Sequence, residues 1–395
     1  MGLPLEGVRV LAVEQYGAGP FGTQFLSDQG AEVIKIENPN GGGDYARNVG
    51  PHFFSEKQSQ FFHSFNRNKK SLTLDISTPE GQAVFHDLVK TADAVTSNAR
   101  GDVPAKLGLI YEDLNIYNPK IVCAHLSAYG REGSRASWPG FDYLMQAEAG
   151  YFSLTGEPET PPTRMGLSIV DLMTGLGLAY SVAIGVLNAR ETGIGRNLDV
   201  SLFDMALFNL CYPGTWYLNA GIVQEREPRS GHPSLVPCAL YTTKDGWIFL
   251  MCNKEKFWPV LCDAIGRPEW SEDTRFVSFK ERLENRLLVQ DLLDQELKRK
   301  TTAEWLDIFA GSVPAAPLHD IKGALENPFV AERGLIQSLE IEGYGVARLL
   351  DTPIRSGDST PSNPAPALGQ HTDDLLSEIG YDMDRVRKLR NAKII

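Results

Sequence analysis

The 395 residues carry 50 acidic against 38 basic side chains, a formal net charge of −12, so the surface repels phosphate backbones and anionic membranes and argues against either as a partner. Five cysteines, with no C-x-x-C pair among them, give neither a disulfide framework nor a zinc site and suit a reducing cytoplasm. A hydrophobic share of 42% at this length is enough for two domains, each with its own core.

In chain order, Val8–Val13 is a β-branched run that predicts a strand, and it is too short for a secretory leader. A helix is expected near 22–30, a strand over Glu32–Glu37, and a helix over Pro79–Thr91 that opens on Thr78 as N-cap with Pro79 at its first position. Short strands follow at Ala94-Val95 and Ile121–Leu126. Residues 172–189 approach membrane-spanning length but are diluted by Thr174, Gly175, Gly177, Ser181, Gly185 and Asn188, which predicts a buried helix instead. A strand and helix run to about Leu210, and Pro- and Gly-rich loops occupy 212–237. Leu240–Thr243 and Trp247–Met251 read as a hairpin turning at Lys244-Asp245-Gly246. Helices are expected at 254–265, 279–297 and 302–309, then an extended strap over Gly357–Leu368 and a last helix over Thr372–Ile379. Strands alternating with helices predict an α/β protein with a parallel sheet in a large domain (1–210 with 326–395), plus a smaller α+β domain (211–325).

Gly17-Ala-Gly19-Pro-Phe-Gly22 has the G-x-G-x-x-G spacing of a dinucleotide turn, and Glu37 stands where a ribose-binding acid would. Pro20 removes an amide donor from the turn that should face a pyrophosphate. The glycines are equally suited to close helix packing.

Taken together, the segments resemble the family III coenzyme A transferases, the group of the formyl-CoA and carnitine-CoA transferases. The resemblance spans the chain through Pro4–Leu11, Gly19-Pro20, Gly30–Glu37, Gly42-Gly-Asp44 with Arg47, Asn68–Ser71, Asn98, Ser127–Gly130, Asp171, Gly193–Arg196, Asp199–Leu202, His232-Pro233 and Leu368–Thr372. It implies a Rossmann-like large domain, an interlocked homodimer, an acyl-CoA donor and a carboxylic acid acceptor as partners, and coenzyme A as substrate with no resident cofactor. It also implies that Asp171 attacks the donor thioester, giving an aspartyl anhydride and then an aspartyl-CoA thioester. A carboxylate suits that relay because both of its acyl derivatives stay reactive. Helix-start amides are expected to keep Asp171 ionised; a plain N-cap role is the simpler alternative.

For CoA the resemblance points to Tyr16 and Ala18 at the first turn, Leu74 near the adenine, and Asn98, Lys106 and Tyr129. His232 is an acceptor-side hydrogen bonder or a loop residue, and His125 reads as a core histidine. Phe53, Phe54, Phe61, Phe62 and Phe65 read as core or dimer interface rather than a substrate box. No histidine spacing suggests a metal. Two departures stand out: Asn38 replaces the arginine of the formyl-CoA transferases, and Ser230–Pro233 replaces their glycine run. Three rivals remain open: an α-methylacyl-CoA racemase, a non-catalytic acyl-CoA-binding protein and an NAD enzyme. The racemases pair the aspartate with a Gly-His-Asp histidine, where this chain reads Gly140-Phe141-Asp142.

Overall fold

The computed structural model describes residues 2–56, 58–355, 357 and 362–395. The chain divides into two compact units, one of Met1–Ala149, Gly166–Cys211 and Phe329–Ile395, the other of Gly150–Met165 and Tyr212–Pro328. The segment 150–165, expected with the large domain, groups with the smaller one.

The first unit begins β1 (Arg9–Val13), α1 (Ala18–Asp28), β2 (Glu32–Glu37), α2 (Gln60–Asn66), β3 (Lys70–Thr73), α3 (Pro79–Val89) and β4 (Ala94–Ser97). It continues through α4 (Val103–Lys106), α5 (Tyr111–Leu114), β5 (Val122–Ser127), α6 (Asp142–Glu148), α7 (Ile169–Thr192), β6 (Arg196–Ser201) and α8 (Leu202–Phe208). The six strands are all parallel, in the order β3-β2-β1-β4-β5-β6. The chain therefore reverses direction across the sheet between β1 and β4, and the crevice beyond their carboxyl ends is where sheets of this kind bind ligands.

Helix α1 starts four residues before the expected position. Pro20 lies in its first turn, where the missing N–H would have had no helical partner in any case. Strand β3 was not anticipated, because Lys-Ser-Leu-Thr is four residues with a single apolar anchor.

The second unit runs through α9 (Cys211–Ala220), β7 (Cys238–Thr242), β8 (Trp247–Met251), α10 (Phe257–Ala264), α11 (Phe279–Glu284), α12 (Arg286–Leu297), α13 (Thr302–Phe309), β9 (Ala315–Pro317) and α14 (Ile321–Leu325). The hairpin β7–β8 is antiparallel as predicted, with β9 added to its edge. The single helix expected over 279–297 is broken at Asn285, whose side-chain amide donates to Glu281 O at 2.9 Å. Thr301 and Glu304 close a capping box on α13. The core of this unit gathers Tyr241, Ile248, Trp258, Phe276 and Leu293.

Beyond α15 (Pro328–Glu332) the chain adds the hairpin β10 (Ile336–Ile341) and β11 (Gly345–Leu350), then α16 (Thr372–Glu378) and α17 (Met383–Asn391). Leu375, Leu376, Val386 and Ile394 join Leu11, Leu72, Phe85 and Leu88 in one buried cluster, so the last residues complete the core on one sheet face. Residues 358–361 of the expected strap lie outside the described residues. From Ser362 to Leu368 the chain is neither helix nor strand, and it is fastened by Asn363 N–H to Asn68 Oδ1 (2.8 Å) and by Arg47 Nη1 to Pro366 O (3.0 Å).

Helix α7 is long and apolar enough to cross a membrane by length and composition alone. One side packs on α1 and the sheet: a Cβ on Gly185 would lie 2.7 Å from Val122 Cγ1. The other side corrects the expectation of a buried helix, because Leu176, Tyr180, Ile184 and Leu187 form an exposed stripe at helical spacing.

Candidate active site

Two cavities within the first unit meet at Asp171. One, of 430 Å³, lies beyond the carboxyl ends of β1, β4 and β5, where the strand order reverses; Ala18, Asn98, Arg100, Ser127 and Gly140 are among its lining residues. The other, of 740 Å³, is walled by Tyr45, Phe61, Phe65, Tyr143 and Leu172. Gln15, Tyr16, Gly17, Phe141 and Asp171 line both.

Asp171 sits in the first turn of α7. Ser168 at the helix start makes no side-chain cap. Asp142 caps the helix from outside: its Oδ2 accepts Asp171 N–H at 2.9 Å, and Gln146 Nε2 donates to Oδ1 at 2.5 Å. Burial, aided by the Asp142 carboxylate, pushes the Asp171 pKa up to about 7. This corrects the expectation that helix amides would hold Asp171 ionised. At position 171 the amide is already given to Asp142, and loss of solvent together with a like charge outweighs the helix dipole.

Glycines bring α7 to this position. A Cβ on Gly175 would lie 2.4 Å from Ala18 O, one on Gly22 would lie 2.3 Å from Gly175 O, and one on Gly17 would lie 3.4 Å from Asp171 Oδ2. The glycines of the G-x-G-x-x-G turn therefore serve helix packing and access to Asp171.

A buried ionic network holds the turn from behind. Tyr16 is left-handed at φ 72°, and its N–H donates to Asp44 Oδ1 at 2.9 Å. Asp44 Oδ2 pairs with Lys35 Nζ at 2.7 Å, both side chains fully buried, and Lys35 also donates to Glu14 O. Lys69 reaches Glu14 Oε1 at 3.0 Å and Pro20 O at 2.9 Å, and burial lowers its pKa to about 8. Glu37 accepts from both ends of the Arg47 guanidinium, from Ser71 Oγ and from Asp44 N–H. It is enclosed and engaged, so it is not a ribose-binding acid. Against the upward push of burial, Arg47, Lys35 and Ser71 hold its pKa below the usual carboxylate range.

The residues singled out for CoA are distributed unequally. Tyr16 lines both cavities and Ala18 the smaller one. Asn98 also lines the smaller one, but its amide is committed to the turn: Oδ1 accepts Gln15 N–H at 2.9 Å and Nδ2 donates to Gln15 O at 2.6 Å. Leu74 is a correction, since its side chain is 1% exposed and belongs to the core. Lys106 lines neither cavity; its side chain is largely exposed and pairs with Asp102 Oδ2 at 2.6 Å, and Arg100 lines the smaller cavity. Tyr129 lines neither cavity; its hydroxyl donates to Glu148 Oε2 at 2.8 Å.

His232 lies in the second unit, with Nδ1 accepting Ser234 N–H at 3.1 Å and Nε2 at 3.4 Å from the Tyr212 hydroxyl. That geometry suits the loop reading. His125 is buried beside Ser97, with Nδ1 at 2.9 Å from its Oγ, and burial takes its pKa down to about 4.

The aromatic segment needs a correction as well. Phe62 points into the core beneath the Arg47 guanidinium, but Phe61 and Phe65, four residues apart on α2, face the larger cavity. Gln15 and Asp142 were not singled out. Gln15 has no pattern of its own, and Asp142 had been read only as the neighbour of Phe141. Among the described residues no three His, Cys, Asp or Glu side chains form a group able to hold a metal ion.

Comparison with known proteins agrees with this geometry. The sequence model described as CoA-transferase family III matches residues 5–372. The succinate–glutarate CoA-transferase of Agrobacterium fabrum is 33% identical over 95% of this chain and 96% of its own. The acetyl-CoA:oxalate CoA-transferase of Acetobacter aceti is 34% identical over 84% and 85%. Among solved structures, a CAIB/BAIF family protein from Brucella suis superposes with a TM-score of 0.81 at 30% identity, covering 96% of this chain and 100% of that one.

Proposed function

The chain belongs to CoA-transferase family III and is an enzyme of that type, and from that premise we propose that it carries CoA from an acyl-CoA donor to a free carboxylic acid through covalent intermediates on Asp171. The observation that supports this reading is the meeting of two cavities at one buried carboxylate. A thioester lying across that junction would place CoA on the strand-end side and its acyl group on the aromatic side.

An Asp171 oxygen attacks the thioester carbonyl, the C–S bond breaks, and an aspartyl anhydride forms with CoA thiolate leaving. The thiolate then attacks the Asp171 carbonyl and releases the donor's acid as its carboxylate, leaving an aspartyl-CoA thioester. The acceptor carboxylate attacks that thioester, thiolate leaves again, and its attack on the acceptor's carbonyl restores Asp171 and yields the new acyl-CoA. The net reaction exchanges one thioester for another, and no cofactor or metal is needed.

The pKa of about 7 serves this relay in two ways. Half the enzyme is ionised near neutrality, with a carboxylate more basic than an ordinary acid. The same surroundings that penalise the charge also favour its uncharged acyl derivatives over free carboxylate. In this reading Gln15, which lines both cavities, donates to the carbonyl oxygen as it gains charge. Arg100, which lines the smaller cavity, meets the CoA phosphates. Racemisation is disfavoured because Phe141, beside Asp171, can neither take nor return a proton, and His125 lines neither cavity.

The working form in this reading is a cytoplasmic homodimer. The exposed apolar stripe on α7 and the free state of all five cysteines support it, and a monomer in sedimentation at high dilution would contradict the dimer.

The test of function is incubation with acyl-CoA donors and free acids, read by mass spectrometry. New CoA esters appearing only when both substrates are present are expected. Deuterium entering the α-carbon of a 2-methylacyl-CoA without any acceptor would point to the racemase instead.

A further inference from the structure

The larger cavity is walled chiefly by aromatic side chains. Its wall is a run of rings in mutual contact: Tyr45 stacks on Tyr16 at 6.2 Å, Tyr16 meets Phe61 at 5.0 Å, and Phe61 meets Phe65 edge to face at 5.0 Å. Phe141, 66% exposed, faces it together with Tyr143. The charged residues lining the cavity are Asp142 and Asp171, with no Lys, Arg or His among its described lining residues.

The nearby cations are already engaged. Lys35 is held by Asp44, Arg47 by Glu37 and Lys69 by Glu14, all at the back of the turn. Asn38, the departure noted in the sequence, accepts Asn40 N–H at 2.8 Å within its own turn. Arg100 lines the smaller cavity and not this one. A substrate carrying a second carboxylate would therefore bring it into an aromatic chamber beside two acidic side chains with no counter-charge, an unfavourable transfer for an ion. An uncharged chain or ring would instead exchange water for aromatic surface.

We propose that this cavity is the acyl subsite and that it takes acids whose remainder is apolar and uncharged, up to the size of an aromatic ring, in preference to dicarboxylic acids. The inference rests on the CoA-transfer reading and narrows it. It also separates this chain from its similar relatives named for succinate, glutarate and oxalate.

The test measures binding and turnover separately on the whole protein. In calorimetry, phenylacetyl-CoA and hexanoyl-CoA are expected to bind at least tenfold more tightly than succinyl-CoA and glutaryl-CoA. With acetyl-CoA as donor, phenylacetate and hexanoate should show kcat/KM at least tenfold above succinate and glutarate. Tyr45→Arg, at an exposed position that tolerates the change, should reverse part of that ratio by adding the missing cation. Equal or tighter binding of succinyl-CoA, or equal turnover of succinate, overturns the inference while leaving CoA transfer intact. The expected binding order without transfer to any acid supports the subsite and refutes the transferase reading instead.

Discussion

Replacing Asp171 by Asn should abolish transfer and yet stabilise the protein above neutral pH. With its pKa raised from 3.8 to about 7, the folded state binds more protons at Asp171 than the unfolded chain does across that window, so stability falls as pH rises through it. Each pH unit of the window costs about 1.4 kcal/mol, about 4 kcal/mol in all by pH 8. Asn carries no charge to desolvate, and it relieves the repulsion from Asp142; burying its amide returns about 1–2 kcal/mol of that gain. A net gain of about 2–3 kcal/mol corresponds to a rise in Tm of roughly 5 °C. At pH 4 the wild-type carboxyl is already protonated in the fold, so the gain is gone and only the amide's burial cost remains; the Asn variant should then melt slightly below wild type, by about 1–2 kcal/mol. Calorimetric scans of both at pH 4, 6 and 8 read this directly. An Asn variant that melts no higher than wild type at pH 8, or gains equally at pH 4, would refute the assignment of a buried, charge-penalised nucleophile.

The pH profile of kcat/KM for the acyl-CoA donor should rise about tenfold per unit below pH 7 and level off above it, since only ionised Asp171 attacks; Asp142→Asn should move that limb to lower pH, and an unchanged limb counts against the pairing. Gly175→Ala places a Cβ 2.4 Å from Ala18 O, so a loss of about 1–3 kcal/mol in denaturant titration is expected, with at least a tenfold fall in kcat/KM as Asp171 shifts from the turn. Asn98→Ala removes both hydrogen bonds to Gln15 and should raise KM for CoA esters several-fold; KM at the wild-type value would show that the turn holds without it.

Much of both units was legible because the signals are local. The β-branched runs, the Thr78-Pro79 start and the Lys244-Asp245-Gly246 turn each act through neighbours within a few residues. Strand β3 and helix α17 were not, because four residues with one apolar anchor, and a polar helix with a single buried Val386, earn their places only through tertiary packing. The site divides along the same line. Asp171 was found through its motif, but its protonation depends on Asp142, which stands 29 positions away in sequence and is joined to it by α6 capping α7. Leu74 was misplaced because adjacency to a motif does not say which way a side chain points. Phe61 and Phe65 show the reverse case: their i, i+4 spacing on α2 marks one face, while Phe62, roughly 100° round the helix from Phe61, turns into the core.

The central claim is that Asp171 carries the acyl group and then CoA. Mixing the protein with one equivalent of acyl-CoA, trapping with hydroxylamine and sequencing the peptides by mass spectrometry should place a hydroxamate at residue 171, with the label absent when acyl-CoA is omitted. Turnover that proceeds with no label at Asp171, or a hydroxamate found on Asp142 instead, would contradict it.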